Sequence, residues 1–114
     1  MLMADLLEDG LILFNRGQFY EAHEVWEDLW RETDRGALRT CYQGLIQAAV
    51  GLHHLGRGNT VGASSQLGKS IRNLQVGSKE TTGLDIEALI QQLSELLKDM
   101  PGTERGLPHI VRSK

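Results

Sequence analysis

Residues 18–32, QFYEAHEVWEDLWRE, decide how this chain folds. At 100° per residue Phe19, Ala22, Val25, Trp26, Leu29 and Trp30 share one arc of a helix. His23 and Glu27 fall together at the edge of that arc, one turn apart, and Tyr20, Glu24 and Arg31 continue the polar flank. A helix carrying two tryptophans on its apolar face has to bury them against neighbours, and the flanking sequence supplies more helices.

Upstream, Leu7, Leu11 and Phe14 recur at i, i+4 and i+7, and Arg16-Gly17 punctuates the pattern with a residue suited to a left-handed helix stop. Downstream, residues 33–36 form a polar break before a third helix over about 37–55, whose core stripe is Leu45, Ala49 and Leu52. Gly44, Ala48 and Gly51 form a second stripe on that helix. Glycine costs a helix interior about 1 kcal/mol relative to alanine, so two on one face predict a close approach, with Trp26 or Trp30 as the expected neighbour.

The string Gly56-Arg57-Gly58-Asn59 reads as a turn, with Asn59 capping a fourth helix over about 60–76 that presents Ala63, Leu67, Ile71 and Leu74. After a polar loop over 77–83, Asp85 is an N-cap and Leu84 and Leu89 take the spacing of a hydrophobic staple. Ile86, Leu89, Ile90, Leu93, Leu96 and Leu97 then form the clearest amphipathic pattern in the chain, ended by Pro101-Gly102. No run of alternating β-branched residues and no repeat of solenoid length appears. The expectation is an all-α fold, a compact antiparallel bundle of about five helices. It forms a single domain over 1–114, with 101–114 an irregular tail lying loose or across the surface.

Composition narrows the function classes. The net charge is −3, from 15 acidic and 12 basic residues, and the lysines and arginines are scattered, so no nucleic-acid partner is expected. The most apolar stretch, 45–55, is far shorter than the roughly 20 residues of a membrane span, and a secretory leader is not supported. One cysteine, Cys41, excludes an internal disulfide, and a cytoplasmic setting is expected. It reads as a small core residue, not an activated nucleophile. Homo-oligomerisation stays open, and neither cofactor nor partner is legible.

Chemistry concentrates on the second helix. His23-Glu24-Val25-Trp26-Glu27 resembles the zinc-protease helix His-Glu-x-x-His with its last histidine replaced by Glu, which removes a required ligand. The Glu-x-x-His motif of diiron bundles is absent. A looser metal or polar-ligand site remains, in which His23 and Glu27 are joined by His53, which lies nearer the apolar stripe of the third helix than His54. The commoner arrangement for such residues is a buried hydrogen-bonded network that fixes helix register, since buried polar groups are normally paired whether or not they do chemistry. Gly56-Arg57-Gly58-Asn59 admits an anion-binding reading beside that of a plain turn.

The run from Phe14 to Trp30, FNRGQFYEAHEVWEDLW, together with Tyr42-Gln43-Gly44-Leu45-Ile46-Gln47-Ala48-Ala49, Leu52-His53, Arg57-Gly58-Asn59, Gly62-Ala63 and Gly83-Leu84-Asp85, resembles the signature of the bacterial and archaeal family called domain of unknown function 309. The resemblance implies a compact all-helical domain with no established reaction or substrate. It places the polar signature on His23, Glu24 and Glu27, with Gln43 and His53 on the next helix. The functional expectation is a polar ligand or metal pocket at His23, Glu27 and His53, or else a scaffold or interaction module in which these residues are structural.

Overall fold

Two helix ends close with the same backbone device. The computed structural model describes residues 3–100 and 106–113. After α1 (Met3–Asn15), Gly17 takes φ 79°, its N–H donates to the Phe14 carbonyl at 3.0 Å, and the Gln18 N–H donates to Leu13 at 2.9 Å. After α3 (Ala37–Gly56), Gly58 takes φ 77°, donating to Leu55 at 3.0 Å, while the Asn59 N–H donates to His54 at 2.9 Å. This paired closure satisfies carbonyls that a helix end would leave orphaned, and it puts an arginine, Arg16 or Arg57, immediately before each turning glycine.

Two helix starts are capped as the sequence predicts, those of the fourth and fifth helices. α2 (Phe19–Arg31) starts without a side-chain cap, whereas the Asn59 side chain accepts from the Gly62 N–H at 2.9 Å to open α4 (Thr60–Gly77). Asp85 accepts from the Ala88 N–H at 3.0 Å to open α5 (Ile86–Asp99), with Leu84 and Leu89 both buried beneath that start. Among the described residues there are five helices and no strand, and the all-α antiparallel bundle is the observed architecture. A radius of gyration of 12.8 Å matches the roughly 13 Å of a compact chain of this length.

The core is built from the predicted stripes. Phe14, Trp26, Leu29, Leu45, Leu52, Leu67, Leu74, Leu89, Leu93 and Leu96 are all essentially inaccessible to solvent. Burial of a leucine or larger side chain contributes about 2 kcal/mol each, which is what drives the helices together.

The packing of the glycines differs from the expectation. Gly44 and Gly51 receive α4, not a tryptophan: a Cβ on Gly44 would stand 2.8 Å from Leu74 Cγ, and one on Gly51 2.8 Å from Leu67 Cδ2. Trp26 instead fills a niche on α1 at Gly10, where a Cβ would fall 2.0 Å from the indole nitrogen. That nitrogen donates to the Leu7 carbonyl at 3.2 Å, so the buried indole is satisfied. Close helix approach was legible in the glycines; its partner was not, because periodicity within one helix says nothing about which neighbour comes near.

Of the tail expected over 101–114, residues 101–105 and 114 lie outside the described residues. Residues 106–113 pass along α5 toward its start and lie against α1. Asn15 grips the main chain of Ile110, Gln92 grips that of His109 through bonds of 2.9 and 3.0 Å, and Asp85 N–H donates to the Val111 carbonyl at 2.8 Å. Ile110 and Pro108 are buried by this docking, and Arg112 pairs with Glu8.

Candidate functional site

α2 turns its polar flank outward along the groove it forms with α3. His23 is fixed from two sides. Its Nδ1 lies 2.5 Å from the Tyr20 carbonyl, which can only accept, so Nδ1 carries a hydrogen. Its Nε2 lies 3.1 Å from Glu27 Oε1. With Nδ1–H committed, Nε2 donates to Glu27 only in the imidazolium form; in the neutral ring it is a lone pair facing the carboxylate. Glu27 also takes Arg31 at 3.3 Å on its other oxygen, and Arg31 bridges to Asp28 at 2.6 Å. The ladder is thus confined to α2, and its members beyond His23 are well exposed.

α3 meets this ladder through a ring. Tyr20, half exposed, packs its phenol against His23 with centroids 4.8 Å apart and against His53 with centroids 5.3 Å apart. His23 and His53 are therefore brought to one surface cluster, and Tyr20 is the side chain they share. Glu24 and Gln43 are not drawn in. Both are exposed, neither makes a hydrogen bond or ion pair among the described residues, and Gln43 precedes His53 by ten positions, about 15 Å along the helix. Gln47 on the same helix is instead bonded to Asn73 of α4 at 2.7 Å. Among the described residues no three His, Cys, Asp or Glu side chains are grouped to hold a metal ion.

His53 also looks the other way, into a cleft of about 550 Å³ at the end of the bundle where both arginine–glycine turns lie. Phe19, Leu52, Leu55 and Leu107 form its apolar walls, and His53 and Arg57 its polar ones. The volume lies in the ordinary range of small-molecule sites. A smaller hollow of about 170 Å³ shares Phe19 and Leu107 with it and is bounded by Arg16 and His109. Reading single helices found the histidines but missed the cleft, since Leu107 comes from the docked segment. The repeated Arg-Gly at two helix ends was the one available sequence signal.

Cys41 and its neighbour Tyr42 are buried on α3 away from this region. Burial, with Glu80 adding to it, pushes the thiol up to about 11, and burial then Cys41 raise the Tyr42 hydroxyl. A thiol held so firmly protonated is a packing group.

Among the described residues no helix is long and apolar enough to cross a membrane. The profile of the family described as Domain of unknown function (DUF309) matches residues 7–66, more than half of the chain. An uncharacterised Bacillus subtilis (strain 168) protein, YpuF, is 33% identical over 95 residues, covering 81% of this chain and 55% of that protein. An uncharacterised protein of Aquifex aeolicus (strain VF5) is 29% identical over 94 residues, covering 82% of this chain and 28% of the relative. The chain thus spans about half or less of the length of these curated relatives, and the family profile runs from α1 into the first part of α4, taking in the histidine cluster and, Leu107 apart, the cleft. On that match the chain belongs to the DUF309 family, whose function is unassigned.

Proposed function

We propose that this domain binds a small ligand at the α2–α3 surface, with His23, Tyr20 and His53 presented beside the cleft walled by Phe19, Leu52, Leu55, Arg57 and Leu107. The position of His53 carries the reading: it packs on Tyr20 and at the same time lines the cleft. A second support is what the His23–Glu27 ladder does not do. It ties α2 to itself and forms no hydrogen bond to α3, so a purely register-fixing role leaves it without a cross-helix partner. Glu27 orients His23, and His53 meets the ligand; Glu24 and Gln43 are surface residues in this reading.

The domain is one folding unit over 1–114, with residues 106–113 docked as part of it. A cytoplasmic setting fits its single free, buried cysteine.

The test is a fragment screen read by amide shifts of isotope-labelled protein. Hits are expected to move Phe19, Tyr20, His53 and Leu107 together and to be lost in His53→Ala while the helical circular dichroism is retained. Hits that cluster elsewhere, or a His53→Ala protein that still binds at full strength, sink the assignment.

A further inference from the structure

The cleft's chemistry specifies more than the presence of a ligand. Its four large walls are apolar, and among the described side chains bounding it and the adjoining hollow there are two arginines, two histidines and no carboxylate. That local excess of positive charge stands in a chain whose net charge is −3. Arg31 and Arg112 are ion-paired, and Arg39 lies over the Trp30 ring at 3.8 Å while its Nε donates to the Trp30 carbonyl. Arg16 and Arg57, like Arg35 and Arg72, have no such partner among the described residues, and these two sit at the closing turns of helices where they border the cleft and its adjoining hollow. The same end of the bundle carries the start of α2, whose first-turn amides have no side-chain cap. Glu21 in that turn is held by Gln18 at 3.2 Å.

Resting on the reading of this cleft as the ligand site, we propose that its ligand is a small amphipathic anion. Its apolar body lies against Phe19, Leu52, Leu55 and Leu107, and its anionic head is held by the Arg57 guanidinium with a second hydrogen bond from His53. A guanidinium presents paired N–H donors that match a carboxylate or phosphate oxygen pair, and an apolar wall beside it strengthens the pairing by excluding water. Arg16, across the shared Phe19–Leu107 wall, adds field without being required for contact.

The experiment titrates the full labelled chain with sodium decanoate, 1-decanol and decyltrimethylammonium, all held monomeric, and follows the amides of Gly17, Phe19, Gly56 and Arg57. Decanoate is expected to shift these amides with a Kd at least about fivefold lower than that of decanol, with Arg57→Gln abolishing that margin and leaving decanol affinity unchanged. A smaller margin, or tighter binding of the ammonium, overturns the anionic ligand while leaving the cleft as a site. No shift at the cleft with any of the three overturns both readings. Sedimentation with phosphatidylglycerol vesicles in place of a response to monomeric decanoate overturns a dissolved ligand in favour of a membrane surface.

Discussion

Asn15 and Ile110 stand 95 positions apart and close a ring of two hydrogen bonds: the Asn15 amide nitrogen donates to the Ile110 carbonyl at 2.8 Å, and its oxygen accepts from the Ile110 N–H at 2.8 Å. An asparagine side chain thereby takes the place of a strand partner, supplying a donor and an acceptor to one residue of extended chain. Gln92 does the same for His109 from the other side. The side chain of Ile110, 2% exposed, is the apolar payload of the clasp.

Asn15→Ala removes both bonds at once and strands two part-buried backbone groups. At about 1 kcal/mol per bond, the loss is about 2 kcal/mol. Urea unfolding should show a lower midpoint with an unchanged slope, and exchange of the Ile110 amide should accelerate more than that of any amide in α3. An unchanged midpoint would show that the Asn15 clasp contributes nothing beside the buried Ile110 side chain and the Gln92 and Asp85 bonds.

Glycine replacements separate propensity from packing. Gly68→Ala meets nothing closer than the Arg72 guanidinium at 3.7 Å and should stabilise by about 0.5–1 kcal/mol. Gly44→Ala drives a Cβ to 2.8 Å from Leu74 Cγ and 3.0 Å from the Leu74 nitrogen, so overpacking of about 1–3 kcal/mol outweighs the same gain. Leu74→Ala in the Gly44→Ala background should be less than additive in thermal melts.

Cys41 gives a pH dependence of known sign. Its thiol ionises at about 11 when folded against an ordinary value of 9.0, because of burial first and Glu80 second. The contribution is complete below pH 9 and is lost as pH rises through 11, since the unfolded chain releases its proton first. The loss is on the order of 2 kcal/mol. Denaturation midpoints should fall between pH 9 and 11 and fall less in Cys41→Ala, and a thiol reagent at pH 8 should react only on unfolding. Tyr42, raised in the same direction, adds to the alkaline loss.

His23→Ala tests whether the polar seam holds the fold. The imidazole bonds only within its own helix, and Glu27 retains Arg31, so the expected loss is at most about 1 kcal/mol. A melt lowered by as much as a core truncation, about 3 kcal/mol or more, would make the seam structural and withdraw it from the ligand site.

The elements were legible because each rests on local chemistry: Asn59 and Asp85 as caps, Gly17 as a stop, and the Leu89-to-Leu97 stripe. His23 with Glu27 was legible for the same reason, being one turn apart on one helix. What needed the fold was every relation between elements. Tyr20 as the ring linking His23 to His53, α4 as the neighbour of Gly44 and Gly51, and Leu107 as a wall of the cleft all depend on which surfaces meet. Gln43 shows the limit from the other side: it shares a helix with His53 but faces solvent ten residues away.

The contact of Gly44 with Leu74 and Gly51 with Leu67 makes a two-toothed rack, the teeth seven positions apart on each helix and meeting in antiparallel order. Sliding α4 by one turn, about 5.4 Å, would take both leucines out of register with their glycine notches. Leu52 and Leu55, the apolar α3 walls of the cleft, follow Gly51 by one and four positions, so that side of the cleft is set by the same core packing. The opposite side of the cleft, Leu107, owes its place to the Asn15 and Gln92 clasps on the residues that follow it, so the cleft's two sides are set by unlike forces, helix packing on one and side-chain amides on the other.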